Sequence, residues 1–175
     1  MLFLRYALPC TKERIKDGGL TQEEVDAMTR LVLAEETPDE AVISGMFPIA
    51  VLQCKRMAIS MKRGAVDSEI IRRYFLLEHN SLLDKFSGPG TYPPSKNCKI
   101  RLGTVMSITG DSAVVKIGLE PLAEYGMTLC KGKIRKGDEV DVHYDSIVER
   151  MPAEKLGEMR TAGTAHRPEK LKNHP

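Results

Sequence analysis

The sequence has 175 residues, of which 42% are hydrophobic and 29% are charged, and its formal net charge is only +2. This near balance excludes a strong overall electrostatic field, so charge alone does not imply a nucleic-acid or membrane partner. The hydrophobic content is enough for one ordinary domain or two small ones. Arg5 interrupts the first apolar residues, and no window reaches the roughly 18 apolar residues of a membrane-spanning helix, so we expect a cytoplasmic protein.

The four cysteines are widely spaced along the chain: Cys10, Cys54, Cys98 and Cys130. No C-x-x-C pair occurs, so a zinc site formed by neighbouring residues of the sequence is not expected. In a reducing cytosol these residues are expected to remain thiols.

Residues 1–86 are predicted to form a helical domain. Residues 21–24 have the pattern of a capping box, and residues 37–40 repeat the signal with a proline at the first helical position. The second helix is expected to bend at residues 45–48. Asp67 can cap a third helix, whose apolar stripe faces the core while Arg72, Arg73, Glu78 and Asp84 mostly stay outside.

Residues 87–97 are rich in proline and glycine and are interpreted as a linker. Beyond them the hydrophobic residues recur at every second position, which predicts a first strand with one buried face. The side chains predicted on this buried face are Ile100, Leu102, Met106 and Ile108.

A hairpin turn is predicted at residues 109–112, a weaker strand at residues 125–129 and another turn at residues 135–138. In the following strand Val140, Val142 and Tyr144 share one face, and Asp141 and His143 share the other. Several short strands within about 50 residues favour a closed barrel over residues 98–150, because closure removes exposed edges.

The predicted fold class is therefore α+β, with an N-terminal helical domain followed by a small OB-like closed β-barrel. Residues 151–175 are expected to form a short helix and a flexible tail.

Two segments of the barrel carry a resemblance to a known family. Cys98 is followed by Gly103, a strand, a turn with glycine and a strand of small and β-branched residues, and residues 137–143 (GDEVDVH) end a later strand in Val-His. Both patterns resemble HypC (HupF), the small chaperone of nickel-iron hydrogenase assembly. The fragments Phe3-Leu4-Arg5-Tyr6-Ala7 and Tyr74-Phe75-Leu76 are loosely similar to an uncharacterised family associated with hydrogenase genes.

The resemblance implies a non-enzymatic assembly chaperone or adaptor. Cys98 would then bind partners and an iron centre and would be the metal ligand, with Gly103 and His143 beside it; a thiolate is a soft donor suited to iron. The implied partners are a HypD-like scaffold and a hydrogenase large-subunit precursor, with no membrane and no nucleic acid. No tightly bound cofactor is implied, only a transient iron centre.

Simpler interpretations exist for the same residues. Cys98 is also consistent with a small side chain buried in the barrel, and His143 with a solvent-exposed histidine on a strand. His79 is consistent with a histidine in the core or at the domain interface, and Cys10 is given no role. A thiol enzyme using Cys98 or Cys130 with His143 is a further alternative.

A small RNA- or nucleoprotein-binding barrel is the main alternative function. It is motivated by basic residues on or near the strands, namely Lys99, Arg101, Lys131, Lys133 and Arg135.

Overall fold

The computed structural model describes residues 1–86, 98–130, 133–151 and 157. Helices occupy the first half and strands the second, as predicted. The helices are α1 (Leu2–Ala7), α2 (Thr11–Lys16), α3 (Gln22–Leu33), α4 (Glu40–Met46), α5 (Pro48–Ser60), α6 (Ser68–Arg73) and α7 (Asn80–Phe86). The strands are β1 (Arg101–Thr109), β2 (Ser112–Lys116), β3 (Ala123–Gly126), β4 (Glu139–His143) and β5 (Ser146–Arg150). The predicted linker and almost all of the predicted tail lie outside the described residues.

Local capping signals fix where the helices begin. The predicted capping box is present at α3, where Thr21 N donates to Glu24 Oε2 over 2.7 Å and Glu24 N donates to Thr21 Oγ1 over 3.2 Å. The cap of α4 is Asp39, whose carboxylate accepts from Ala41 N, so this helix begins later than the sequence pattern indicates. The predicted bend is present at Phe47, where α4 and α5 meet at 115°.

The third predicted helix is continuous but changes its winding. Asp67 caps it through a 2.9 Å bond from Ile70 N, as predicted. Between α6 and α7, Tyr74–His79 forms π-helical turns. Such turns are rare and are frequent at functional sites, because the extra residue shifts the side chains that follow.

The five strands close into a barrel in the order β1-β2-β3-β5-β4, which confirms the predicted OB-like barrel. β3 and β5 pair in parallel and the other pairs are antiparallel. The barrel core contains Val105, Val115, Val140, Val142 and Ile147, each at most 1% exposed.

The predicted buried face of the first strand is correct for Ile100, which is 5% exposed, and wrong for Met106 and Ile108. Gly103 and Val105 point into the barrel, whereas Met106 and Ile108 are 42% and 40% exposed. The pairing with β2 shifts between Val105 and Ser107, so a bulge changes the parity partway along the strand. The hairpin end of β1 then projects beyond the barrel core.

The helical half packs against the outer face of β4 and β5. Asp141 and His143, on the outward face of β4, are 0% exposed, and Val148 of β5 joins the helical core with Leu4 and Tyr6. β4 is therefore buried on both faces.

Within the described parts of the chain, no single helix has the length and apolar character needed to cross a membrane; only the bent pair α4 and α5 meets those criteria, by length and composition alone.

Candidate metal centre

Four potential metal ligands meet where the helical half contacts the barrel. One ligand atom from each of Cys10, His79, Cys98 and His143 lies within 4.8 Å of the others. Cys98 and His143 are two of the predicted site residues, and the structure brings them together. Cys10 and His79 complete the set from the helical half.

The spacing of these atoms fits a tetrahedral ion. Metal–sulfur bonds of about 2.3 Å and metal–nitrogen bonds of about 2.0 Å separate two sulfurs by about 3.8 Å, and a sulfur from a nitrogen by about 3.5 Å. The Sγ atoms of Cys10 and Cys98 are 3.8 Å apart. Cys10 Sγ is 3.3 Å from His143 Nε2, and Cys98 Sγ is 3.9 Å from His79 Nε2. Two thiolates with two imidazoles are a donor set typical of zinc and also suited to iron.

His143 is oriented as a ligand by the helix that covers it. Its Nδ1 lies 2.8 Å from the backbone carbonyl oxygen of Tyr6. A carbonyl oxygen only accepts, so Nδ1 donates to Tyr6, and Nε2 is the ring nitrogen that faces the cluster, where its lone pair would bind an ion. Metal-binding histidines commonly donate their other ring nitrogen in this way.

Asn80 holds the segments that carry His79 and Cys98 next to each other. Its side-chain amide donates to Ile100 O over 2.8 Å and accepts from Ile100 N over 2.9 Å. His79 immediately precedes Asn80, and Cys98 lies two residues before Ile100. These two bonds therefore hold the start of the barrel against the π-helical turns that carry His79.

Cys10 ends a short 3-10 turn, Leu8–Cys10, between α1 and α2. The Thr11 hydroxyl donates to Leu8 O over 2.6 Å and stabilises this turn. Tyr6 in α1 bonds to β4 through its hydroxyl and its carbonyl oxygen, and the turn that follows places the Cys10 sulfur 3.3 Å from His143 Nε2 at the end of that strand.

The two cysteines of the cluster have pKa values shifted in opposite directions. A hydrogen bond from Cys10 lowers the pKa of Cys98, and the bonds from His143 and His79 lower it further, against the effect of burial. Its hydrogen bond to Cys98, together with burial, raises the pKa of Cys10. The two shifts favour ionisation at Cys98 over ionisation at Cys10, and a metal ion would take the place of the proton between the two sulfurs.

Tyr144 borders the cluster in a strained conformation. Its φ is +54°, which is uncommon for a bulky residue, and such strain concentrates at functional sites. Its hydroxyl is buried without a hydrogen bond to any described residue. Burial raises the pKa of Tyr144, and the nearby negative charge of Cys98 adds to the effect.

A buried polar network beside the cluster fastens α1 and α6 to the barrel. The Tyr6 hydroxyl lies 2.6 Å from Asp141 Oδ2 and 2.9 Å from Glu149 Oε2. Burial raises the pKa of Asp141 to about 7, although the bond from Tyr6 opposes this. Arg72 donates to Glu149 from Nη2 over 2.7 Å and from Nε over 3.0 Å. The prediction that Arg72 lies on the solvent side is therefore wrong. The network fixes Tyr6, whose carbonyl orients His143.

A cavity of about 750 Å³ reaches the cluster from the helical side. Its lining is mostly apolar and includes Phe47, Tyr74 and Phe75, while Cys10 and His79 form part of its wall. Cys98 itself is only 7% exposed. The centre is therefore approached through Cys10 and His79, and Cys98 lies behind them.

The other residues singled out in the sequence lie away from this centre. Gly103 faces the barrel interior, where an added Cβ would lie 2.5 Å from Val115 Cγ1. The Cys130 sulfur donates to Val148 O, and burial raises the pKa of Cys130 to about 11, which is unfavourable for a thiol nucleophile.

Three of the five basic residues near the strands form ion pairs. Lys99 pairs with Asp84, Arg101 with Glu120 and Lys133 with Glu35. Lys131 lies outside the described residues.

The sequence pattern indicates Cys98 and His143 as candidate site residues, but it does not indicate that Cys10 and His79 lie beside them. Cys10 follows a proline in an irregular segment, and nothing near it in sequence indicates a partner. The helical spacing predicts His79 in the core or at a domain interface, and it lies buried beside His143. No signal in the sequence near Cys10 or His79 indicates that they meet Cys98 and His143.

No family model matches the chain, and neither a curated protein nor a solved structure matches it.

Proposed function

We propose that this chain is a non-enzymatic, HypC-like assembly protein that holds one transition-metal ion at Cys10, His79, Cys98 and His143 and passes it to a partner. The observation that carries the proposal is the cluster of four ligand atoms within 4.8 Å. It is supported by the orientation of His143 through Tyr6 and by the lowered pKa of Cys98, which favours a thiolate. The HypC-like pattern supplies the assembly role, since Cys98 and His143 belong to that pattern.

The cavity supports a carrier that works through its helical side. Cys98 is too buried to be offered to a partner directly, whereas Cys10 and His79 line the cavity. A metal-binding side chain of a partner that enters the cavity would reach the ion on the side where Cys10 and His79 bind it. Exchange of ligands at this edge would then begin the transfer.

Metal binding is tested by titrating the reduced, oxygen-free protein with Co²⁺ and recording its absorption spectrum. We expect one equivalent to bind with the intense visible bands of tetrahedral cobalt and with sulfur-to-cobalt charge transfer. Cys10→Ala and Cys98→Ala should each remove part of the charge transfer. Cys54→Ala is the matched control, because Cys54 is 1% exposed in the helical core, outside the cluster. Octahedral, weakly coloured cobalt with the unaltered chain would contradict the proposal.

The assembly role needs a separate test with partner proteins. The metal-loaded chain is mixed with HypD and with a hydrogenase large-subunit precursor, and complexes are isolated by pull-down, with Cys98→Ala as the control. We expect capture of at least one of the two, weakened by the substitution. Failure to capture either protein would count against the HypC-like role and would leave metal binding intact.

A structural metal site is the second candidate, and the burial of the ligands favours it. His79, Cys98 and His143 are each at most 9% exposed, and closed sites of four protein ligands are typical of structural zinc. A chelator distinguishes the two functions. A carrier loses its ion to the chelator while it stays folded, whereas a structural site loses it only as fast as the protein unfolds.

The paired basic residues count against an RNA-binding barrel. An RNA binder would show measurable affinity at physiological salt and a steep dependence of affinity on salt concentration.

A further inference from the structure

The two cysteines of the cluster are close enough to react with each other. Their sulfurs are 3.8 Å apart, and a disulfide bond is about 2.05 Å long, so each sulfur needs to move by less than about 1 Å. They come from different halves of the chain, 88 positions apart in the sequence. A bond between them would therefore join the helical half to the barrel.

We propose that Cys10 and Cys98 are a redox-active pair whose oxidation to a disulfide expels the bound metal. This regulation rests on the proposed metal-binding function. The oxidant is a low-molecular-weight disulfide, RSSR, of the kind that a thiol buffer contains. The ion thus stays bound under reducing conditions and is released under oxidising ones.

The reaction proceeds in two thiol–disulfide exchange steps. The Cys10 sulfur, which lines the cavity, attacks one sulfur of RSSR, forms a mixed disulfide and releases the first RS⁻. The Cys98 sulfur then attacks the Cys10 sulfur, forms the Cys10–Cys98 bond and releases the second RS⁻. Two electrons pass from the two cysteines to RSSR. The divalent ion leaves with its charge unchanged, and the two RS⁻ take protons from solvent.

Loss of the metal follows from the change in the donors. A disulfide sulfur carries no negative charge and is a poor metal ligand, because the thiolate is the form that binds metals. Only the two imidazoles remain, and structural and transport sites for zinc or iron need more donors than that.

The other two cysteines are poorly placed to compete. Cys54 is 1% exposed and burial raises its pKa to about 12, while Cys130 is 3% exposed and donates to a backbone carbonyl. Neither belongs to the cluster. They provide matched controls of the same chemistry.

The test uses the full chain loaded with Zn²⁺ and treated with oxidised glutathione in the absence of oxygen. A chromophoric chelator reports released zinc, and mass spectrometry of peptides locates the disulfide. We expect one ion released for each Cys10–Cys98 disulfide formed, and recovery of zinc binding after a dithiol reductant. Cys54→Ala and Cys130→Ala should behave like the unaltered chain, whereas Cys10→Ser should form no such disulfide.

Two results would overturn the inference while the metal function stands: zinc that stays bound when the Cys10–Cys98 disulfide forms, and zinc-loaded protein whose disulfides involve Cys54 or Cys130 instead. A chain that binds no zinc before oxidation overturns both proposals, and the metal content measured at the start separates that result from the other two.

Discussion

Removing the charge of Arg72 should destabilise the fold because it leaves Glu149 without its main partner. The guanidinium contacts both carboxylate oxygens, and the two side chains are only 21% and 11% exposed. Breaking one partner of a buried pair costs about 3 to 5 kcal/mol, and the remaining exposure of Arg72 places Arg72→Met near the lower end, at about 3 kcal/mol. For a chain of this size that corresponds to a fall in Tm of roughly 6 to 12 °C.

The assay is urea unfolding of the metal-free protein, which gives the free energy of unfolding for each variant. The double variant Arg72→Met/Glu149→Gln should recover most of the loss, because the amide carries no charge and still accepts from Tyr6. Arg63→Met is the matched control: Arg63 pairs with Glu69 at the surface, where both side chains are 44% exposed, and the expected cost is below about 1 kcal/mol. A cost for Arg72→Met as small as that of the control, or a double variant no more stable than the single one, would refute the reasoning.

Three further outcomes are expected. Gly103→Ala should lower the free energy of unfolding by about 2 kcal/mol in urea, because the new methyl group overlaps Val115 in a packed barrel. The pKa values of Cys54 and Cys130 are raised to about 12 and about 11, above the usual thiol value of about 8.5, so both favour folding below pH 8.5. That contribution is lost as the pH rises toward 11 and 12, and the decline, followed by urea unfolding, should be shallower in Cys54→Ala. Asn80→Ala should weaken Co²⁺ binding by about tenfold in a competition titration, because it frees the segment that carries Cys98.

Each of these outcomes has a plain contrary result. An unchanged urea midpoint for Gly103→Ala would mean that the barrel can widen at this point. A free energy of unfolding that is flat between pH 8.5 and 11 would mean that the two thiols ionise in the folded protein as easily as in the unfolded one. Asn80→Ala should leave the cobalt spectrum tetrahedral, and a changed spectrum would show that Asn80 affects the ligand set itself.

The elements that the sequence predicted well are those set by local interactions. The capping box at α3 and the Asp67 cap depend on residues three positions apart, and both are present. The hairpin of β1 and β2 turns at Gly110, whose φ of +58° is the conformation that glycine permits. Alternation placed Val140 and Val142 inside the barrel, where both are 0% exposed.

The predictions that failed depend on contacts between distant segments. The buried face of β1 is set by a bulge and by the close approach of Gly103 to β2, neither of which alternation reveals. Arg72 is half-buried because it pairs with Glu149, a barrel carboxylate 77 positions later in the chain. In the same way, the strand pattern indicated Cys98 and His143, but Cys10 joins them only because Tyr6 at the end of α1 bonds to β4.

The hydrogen bond between Tyr6 and Asp141 spans 135 positions of the chain. During synthesis the first helix therefore leaves the ribosome long before the strands that it covers. Until those strands emerge, its apolar face has no barrel to pack against. Contacts of such long range slow folding, since a large loop must close before they form. We expect the docking of α1 to be the last and slowest event in refolding, and a ribosome-stalled chain that ends before β4 to leave Leu4 and Tyr6 open to protease.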